Sequence, residues 1–123
     1  MPSYDILVLN AIAPTGLKRL PADRYRCGKD IARPHAVLVR SADMHAMTLP
    51  DSVLAIGRAG AGTNNIPVRQ MSTRGVPVFN APGANANAVK ELVLAGMLMA
   101  ARNIPAALAF VQDLEGDDAT LSK

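Results

Sequence analysis

Short runs of consecutive apolar residues alternate along the chain with polar segments that contain glycine or proline. Runs that are apolar at every position are typical of strands covered on both faces, as in a parallel sheet. A weaker strand is predicted near Tyr25–Cys27, and Pro77 within the last strand favours an edge strand or a position where its N–H is not needed. The four clear runs predict strands over Ile6–Leu9, Ala36–Val39, Val53–Ile56 and Val76–Phe79.

Helical segments are predicted between and after these strands. Thr15 can cap a short helix that ends at Leu20, before Pro21. The stretch Val68–Thr73 follows a proline and precedes a glycine, which is typical of a helix start and stop. The longest helix is predicted over Ala88–Asn103. Strands and helices that alternate in this way predict an α/β protein, with a parallel sheet and helices on both faces.

The longest helix lacks a polar face in its middle, where Leu92–Ala101 is apolar throughout. A surface helix would show one polar face, so this helix is expected to have partners on several sides. The tail after Pro105 becomes acidic and contains no further strand pattern. These two features predict either that the chain is a piece of a longer protein or that a second copy covers the helix.

The composition narrows the class of protein. Half of the 123 residues are hydrophobic and only 3% are aromatic, which fits one domain with an aliphatic core and excludes a disordered chain. The net charge of +3 is dispersed, so we expect no nucleic-acid partner. No apolar run approaches the ~20 residues of a membrane span, and the N-terminus lacks a secretory pattern. The single cysteine, Cys27, indicates a reduced thiol in the cytoplasm.

Charge and glycine content single out one loop as a candidate anion site. No carboxylate occurs between Asp51 and Glu91. In this interval the loop Gly57–Asn65 directly follows a predicted strand and contains Arg58 and three glycines. Small residues allow the backbone N–H groups to approach a ligand, and the arginine matches a carboxylate or phosphate. The alternative is a tight turn that needs glycine for its geometry alone.

Two more strand ends carry candidate polar groups. Arg40 and Ser41 follow one strand, and Asn80–Gly83 follows another. The carboxyl ends of parallel strands share one edge of the sheet, where open α/β sheets bind ligands. A lone arginine at a strand end is more often a solvated charge. The prediction of an anion site therefore depends on several strand ends that carry polar groups at the same edge.

The sequence gives little support for a dinucleotide site, a metal site or a phospho-receiver site. The glycines at positions 57, 60 and 62 do not form the dinucleotide-binding fingerprint. His35 and His45 have no partners at metal-ligand spacing, so no metal site is predicted. A phospho-receiver would need carboxylates at the strand ends, which are absent after Asp51.

Several motifs resemble one enzyme family in the same order along the chain. The segment Ala55–Ile66 resembles the substrate-domain loop of the D-isomer-specific 2-hydroxyacid dehydrogenases, and Arg74–Gly83 and Ala88–Leu92 resemble the segments that follow it. With Val39–Ser41 upstream, the resemblance is greatest to the branch of the family that oxidises 3-phosphoglycerate. It covers residues 5–115.

This resemblance implies a flavodoxin-like substrate-binding domain at 1–104 that ends in a long hinge helix. Residues 105–123 would form a linker toward an NAD-binding domain of Rossmann type that this chain lacks. The implied substrate ligands are Arg40 and Ser41 for the phosphate, and the amides of Gly60, Ala61 and Gly62 for the carboxylate, supported by Arg58, with Asn80 and Pro82 shaping the cleft.

The implied function is that of the whole enzyme, an NAD-dependent oxidation of 3-phosphoglycerate in serine biosynthesis. The family's catalytic residues and NAD-binding loop match no part of this chain, so the chain alone is expected to be inactive and to bind no NAD. The expected partners are a small phosphorylated hydroxy acid and a second copy bound through the Ala88–Asn103 helix. Another substrate of the same family (glycerate, lactate or erythronate 4-phosphate) stays open, as does a free-standing anion-binding or dimerisation module of flavodoxin type.

Overall fold

A computed structural model describes residues 4–116. The chain divides between Ala84 and Asn85 into two compact units, which we call the sheet unit and the helical unit. The sheet unit contains all the strands and two short helices. In chain order its elements are β1 (Tyr4–Leu9), α1 (Pro14–Leu17), β2 (Tyr25–Gly28), β3 (Ala36–Val39), β4 (Ala55–Arg58), α2 (Val68–Thr73) and β5 (Val78–Phe79).

The five strands form one sheet in the order β2-β1-β3-β4-β5, and every pair is parallel. This is the flavodoxin-like order of a doubly wound fold. The predicted α/β class and parallel sheet are therefore confirmed, including the weaker strand at Tyr25. The prediction that Pro77 marks an edge strand is also confirmed, because it directly precedes β5 at the end of the sheet.

Three of the four clearly predicted strands differ from their predicted bounds, and β1 does so by starting at Tyr4 rather than Ile6. The structure starts β4 at Ala55 rather than Val53, because the Val53 N–H donates to the carbonyl of Pro50 at 3.2 Å and closes a turn. Val53 is still buried, which explains why the apolar run extends before the strand. Strand β5 contains only Val78 and Phe79, since Pro77 accepts a hydrogen bond from the Ile56 N–H but has no N–H of its own to extend the ladder.

One face of the sheet carries most of the core. The register aligns Leu7 with Val37 and Val37 with Ile56, so that these side chains share a face. Val37 and Ile56 are fully buried. The loops and α2 cover this face with Met44, Leu49, Val53, Ile66, Met71 and Val76. This packing fixes the strands and therefore the positions from which their loops leave.

The short helices confirm part of the prediction. Helix α2 has the predicted bounds, and Gly75 follows it with a φ of +71°, a backbone conformation that glycine adopts without strain. Helix α1 is shorter than predicted and ends at Leu17. Thr15 does not cap it, since the N-cap is Ala13 and no side chain bonds to the helix end.

The helical unit contains α3 (Ala86–Ala101) and α4 (Ile104–Gln112). Asn103 separates them with a φ of +50°, which ends the longer helix. Residues 105–112, predicted as the start of a linker, thus belong to a helix; residues 117–123 of that linker lie outside the described residues. The predicted domain end at 104 also differs from the division at Ala84.

No residue of α3 or α4 is buried. No single helix within residues 4–116 is long and apolar enough to cross a membrane. Taken together, α3 and α4 meet that length and composition, with a bend of 59° between them.

Candidate anion-binding site

The candidate site lies at the carboxyl edge of the sheet, where the loops after β1, β3, β4 and β5 leave the strands. Val39 and Arg58 are paired at the ends of β3 and β4, so Arg40 and Ala59 leave the sheet from neighbouring strand ends. The Ala59 N–H donates to the Val39 carbonyl at 2.8 Å and extends this pairing into the loops. The predicted site residues at the ends of β3 and β4 therefore lie at the same fixed edge of the sheet.

Asn10, directly after β1, holds the loop that carries the predicted Ser41. Its side-chain Oδ1 accepts the backbone N–H of Ser41 at 3.1 Å and that of Ala42 at 2.5 Å. Asn10 itself has a φ of +65°. Sequence reasoning missed this residue, although an asparagine just after an apolar strand is a signal for such a left-handed turn.

Arg40 and the Ser41 side chain are exposed at the edge. Within residues 4–116, no carboxylate lies at ion-pair distance from Arg40. Asp43 belongs to the same loop, and its Oδ1 accepts the backbone N–H of His45 at 2.9 Å. The Arg40 guanidinium is therefore a cation without a described partner, as an anion site requires.

The glycine loop after β4 offers two of the three predicted amides. The Gly60 N–H donates to the Arg58 carbonyl at 2.9 Å, so that amide is already engaged. In the part of the chain that the structure describes, the N–H groups of Ala61 and Gly62 have no acceptor. Both residues are exposed. Two successive amides without an acceptor, in the loop that follows Arg58, can donate to a small anion.

Arg58 is half-buried and its guanidinium is fixed within this loop. Its Nε donates to the Oδ1 of Asn65 at 3.3 Å. The guanidinium passes so close to Gly60 that a methyl group there would collide with Nη1 and approach Cζ to 2.9 Å. Glycine at position 60 is therefore explained by the path of the arginine.

The loop after β5 is tied to the glycine loop. Asn80 donates from its side-chain amide to the Ala61 carbonyl at 2.7 Å, and the Ala81 N–H donates to the Gly60 carbonyl at 3.0 Å. Asn80 therefore orients the segment that presents the two unpaired amides. Pro82 is exposed in the same loop, just before Gly83, whose φ is +78°.

A shallow, largely apolar cavity of about 200 Å³ adjoins these groups. Gly57, Arg58 and Asn80 line it together with Leu38 and Phe79. The site thus combines an apolar wall with nearby donors, which suits a small acid that has both a carbon skeleton and charged ends.

Not every basic residue of the carboxylate-free interval belongs to the site. Arg74 donates to the carbonyls of Leu49 and Pro50 at 3.1 and 3.0 Å, and lies 3.5 Å from Asp51. Its role is to fasten the segment before β4 to the end of α2.

The described residues do not fit a nicotinamide dinucleotide. A pyrophosphate site of that type needs a helix that starts at the glycine turn. Here the chain continues through a loop after Gly62, and α2 starts only at Val68. Residues 4–116 also contain no group of three side chains that could hold a metal ion.

Comparison with known proteins places these features in a family. Residues 6–116 match a family model described as D-isomer specific 2-hydroxyacid dehydrogenase, catalytic domain. A D-3-phosphoglycerate dehydrogenase of Archaeoglobus fulgidus is 38% identical over 82 residues, which are 64% of this chain and 16% of that protein. The enzyme of the same name from Methanocaldococcus jannaschii is 45% identical over 67 residues, which are 54% of this chain and 13% of the relative.

A third relative extends the match further along the chain. The D-3-phosphoglycerate dehydrogenase of Mycobacterium bovis is 36% identical over 94 residues, 74% of this chain and 18% of the relative. The chain thus spans less than one fifth of the length of each of these three relatives. With the family model covering most of its length, the chain belongs to the D-isomer specific 2-hydroxyacid dehydrogenase family.

Proposed function

We propose that this chain is the substrate-binding part of an NAD-dependent D-3-phosphoglycerate dehydrogenase that acts in serine biosynthesis. The observation that carries the proposal is the pair of amides at Ala61 and Gly62 that have no acceptor within residues 4–116, in the loop after Arg58, with Arg40 directly after the neighbouring strand β3. The names of the three relatives support 3-phosphoglycerate as the substrate.

In this proposal the two charged ends of the substrate have different partners. The compact carboxylate binds the Ala61 and Gly62 amides next to Arg58, because successive N–H groups match its two oxygens. The phosphate binds Arg40 and the Ser41 hydroxyl, since a guanidinium fork pairs with phosphate oxygens. The two strands are about 5 Å apart at this edge, so one three-carbon acid can reach both groups.

The chemistry that this binding serves is the oxidation of a hydroxyl to a ketone. NAD, held outside the residues described here, would supply the hydride acceptor for this oxidation. The residues described here hold and orient the acid. We propose that the chain alone does not turn over substrate, and a coupled assay that detects no NADH with the 123-residue chain is the expected result.

Titration of the isotope-labelled chain with 3-phosphoglycerate, followed by NMR, tests the substrate site. We expect the amide signals of Ala61 and Gly62 to shift and Arg40→Gln to weaken binding by about tenfold or more, because a charge-assisted hydrogen bond is lost. The matched control is Arg33→Gln, which removes the same charge from the exposed segment before β3.

D-Lactate serves as the comparison ligand because it has the carboxylate and the hydroxyl but no phosphate. We expect it to bind more weakly than 3-phosphoglycerate. A preference for lactate, or equal losses from the Arg40 and Arg33 variants, would contradict the assignment of a phosphorylated substrate.

We also propose that the chain forms a homodimer through the helix predicted over Ala88–Asn103, which the structure places at Ala86–Ala101. The supporting observation is that no residue of this helix is buried although its middle is apolar. Light scattering is expected to give the mass of a dimer for the chain and of a monomer for Leu98→Lys. A monomer for the unmodified chain would contradict this proposal.

A further inference from the structure

Asn65 occupies a central place beneath the candidate site without facing the solvent. It lies in the segment between β4 and α2, three residues after Gly62. It is 9% exposed and is the buried polar residue of the part of the chain that the structure describes. A polar side chain in this position is stable only if its hydrogen bonds are made within the protein.

The side chain of Asn65 satisfies this requirement by joining two loops. Its Oδ1 accepts the N–H from Nε of Arg58 at 3.3 Å. Its Nδ2 donates to the carbonyl of Ala42 at 2.8 Å and approaches that of Arg40 at 3.4 Å. Its backbone carbonyl accepts the Met44 N–H at 2.9 Å. One residue thus fixes both the loop after β3 and an arginine of β4.

The geometry leaves the far end of Arg58 available. Nε is engaged by Asn65, whereas Nη1 and Nη2 have no hydrogen-bond acceptor within residues 4–116. Gly60 restrains the guanidinium from another direction, because the space that a side chain would occupy is taken by the arginine. The two terminal nitrogens are therefore held in place while their hydrogens stay free to bind an anion.

We propose that Asn65 is a positioning residue that aims Arg58 and the Arg40–Ser41 turn at one anionic ligand. The inference rests on the proposed function, since the ligand is the acid assigned to this edge. A neutral amide is required because it combines an acceptor for Arg58 with donors for the carbonyls of the neighbouring loop. An aspartate in the same place would keep the acceptor, lose the donors and add a negative charge to an anion site.

The substitution Asn65→Asp tests this inference with little change in volume. We expect its affinity for 3-phosphoglycerate to fall by about tenfold or more, and the Nε–H NMR signal of Arg58 to shift even without ligand. The matched control is Gln70→Glu, which makes the same amide-to-carboxylate change on an exposed residue of α2. The Gln70 side chain makes no hydrogen bond within residues 4–116, so we expect a smaller loss of affinity and an unchanged Arg58 signal.

A double-mutant cycle separates positioning from a general structural role. If Asn65 acts in part through Arg58, Asn65→Asp will lower the affinity less in an Arg58→Met background than in the unmodified chain. Fully additive losses, or equal effects of Asn65→Asp and Gln70→Glu, would overturn the inference. If the unmodified chain binds no 3-phosphoglycerate, the proposed function fails, while an Arg58 signal that is unchanged in Asn65→Asp separately overturns the positioning role.

Gly60→Ala provides a second route if Asn65→Asp does not fold. The new methyl displaces the Arg58 guanidinium from the opposite side and leaves the bonds from Asn65 to the Ala42 carbonyl in place. We expect a shifted Arg58 signal and a loss of affinity comparable to that of Arg58→Met, with the sheet intact. Unchanged affinity in this variant would show that the orientation of Arg58 does not matter and would overturn the proposal.

Discussion

The sheet unit and the helical unit are both rich in apolar residues, yet they use them in opposite ways. In the sheet unit Val37, Met44 and Ile56 are 0% exposed. In the helical unit Leu92 is 74% exposed and Phe110 is 67% exposed. An apolar run therefore predicts that an element forms, but it does not reveal what covers that element.

The polar groups of the two units differ in the same way. In the sheet unit, hydrogen bonds accepted by the Asn10 side chain and donated by the Asn80 side chain join loops that are far apart in the sequence. In the helical unit the described side-chain bonds are local, from Asn87 to Glu91 and from Lys90 to Asn87. Long-range bonds hold loops in one arrangement, which explains why the candidate site belongs to the sheet unit.

The largest expected effect comes from emptying the core of the sheet unit. Ile56→Ala should lower the free energy of unfolding by about 2–5 kcal/mol, because it removes a fully buried side chain and leaves a cavity. Leu98→Ala removes a side chain that is 65% exposed and should change the free energy by less than about 0.5 kcal/mol. Denaturant unfolding followed by tyrosine fluorescence measures both.

This measurement reports on the sheet unit alone. The chain has no tryptophan, and its two tyrosines, Tyr4 and Tyr25, lie in β1 and β2. A large decrease in the free energy of unfolding in Leu98→Ala would mean that the stability of the sheet unit depends on the helical unit. The contrast between the use of apolar residues in the two units would then be wrong.

Replacing each of two glycines by alanine should change the stability by a smaller amount, with opposite signs at the two positions. Gly75 has a φ of +71°, so Gly75→Ala should destabilise the sheet unit by about 1 kcal/mol through backbone strain. Gly96 lies inside α3 with open space around it, so Gly96→Ala should stabilise the helix by up to about 1 kcal/mol. Thermal unfolding by circular dichroism at 222 nm detects the second change, since α3 and α4 hold 25 of the helical residues and the sheet unit ten.

The two substitutions are controls for each other because each adds one methyl group that meets no other atom. If both substitutions destabilise the protein, the backbone conformation of the glycine does not determine the sign of the effect. If Gly75→Ala has no effect, the left-handed turn after α2 is not what requires glycine at that position.

The sequence was sufficient to predict the sheet, because consecutive apolar runs have few alternatives once they are too short for helices. The runs also placed Arg40, Arg58 and Asn80 at strand ends, since parallel strands share a carboxyl edge. The sequence was not sufficient to predict the roles of Asn10 and Asn65. These roles depend on carbonyls and amides that other loops bring close to the two side chains. Whether the Gly60 amide was free could not be predicted either, because its acceptor is set by the turn itself.

The smallest expected effect is the change in stability at low pH, and we expect it in the sheet unit alone. Both ion pairs described in residues 4–116, Arg26–Asp5 and Arg74–Asp51, lie in that unit. Arg26 donates to both carboxylate oxygens of Asp5, at 2.6 and 2.8 Å, and these hydrogen bonds hold the pKa of Asp5 below its ordinary value. The pair joins β1 to β2, where Asp5 and Arg26 are aligned in the register.

The sign of the pH dependence follows from the lowered pKa. The contribution of the pair is complete above the unfolded pKa of about 3.9, and it is lost as the pH falls through the lower folded pKa. We therefore expect Arg26→Gln to be less stable than the unmodified chain at pH 7 and the difference to shrink below about pH 4. Tyrosine-detected unfolding measures this difference, with Arg33→Gln as the control for loss of an exposed charge. A difference that stays constant down to pH 2 would mean that Asp5 is not the partner through which Arg26 stabilises the edge strand.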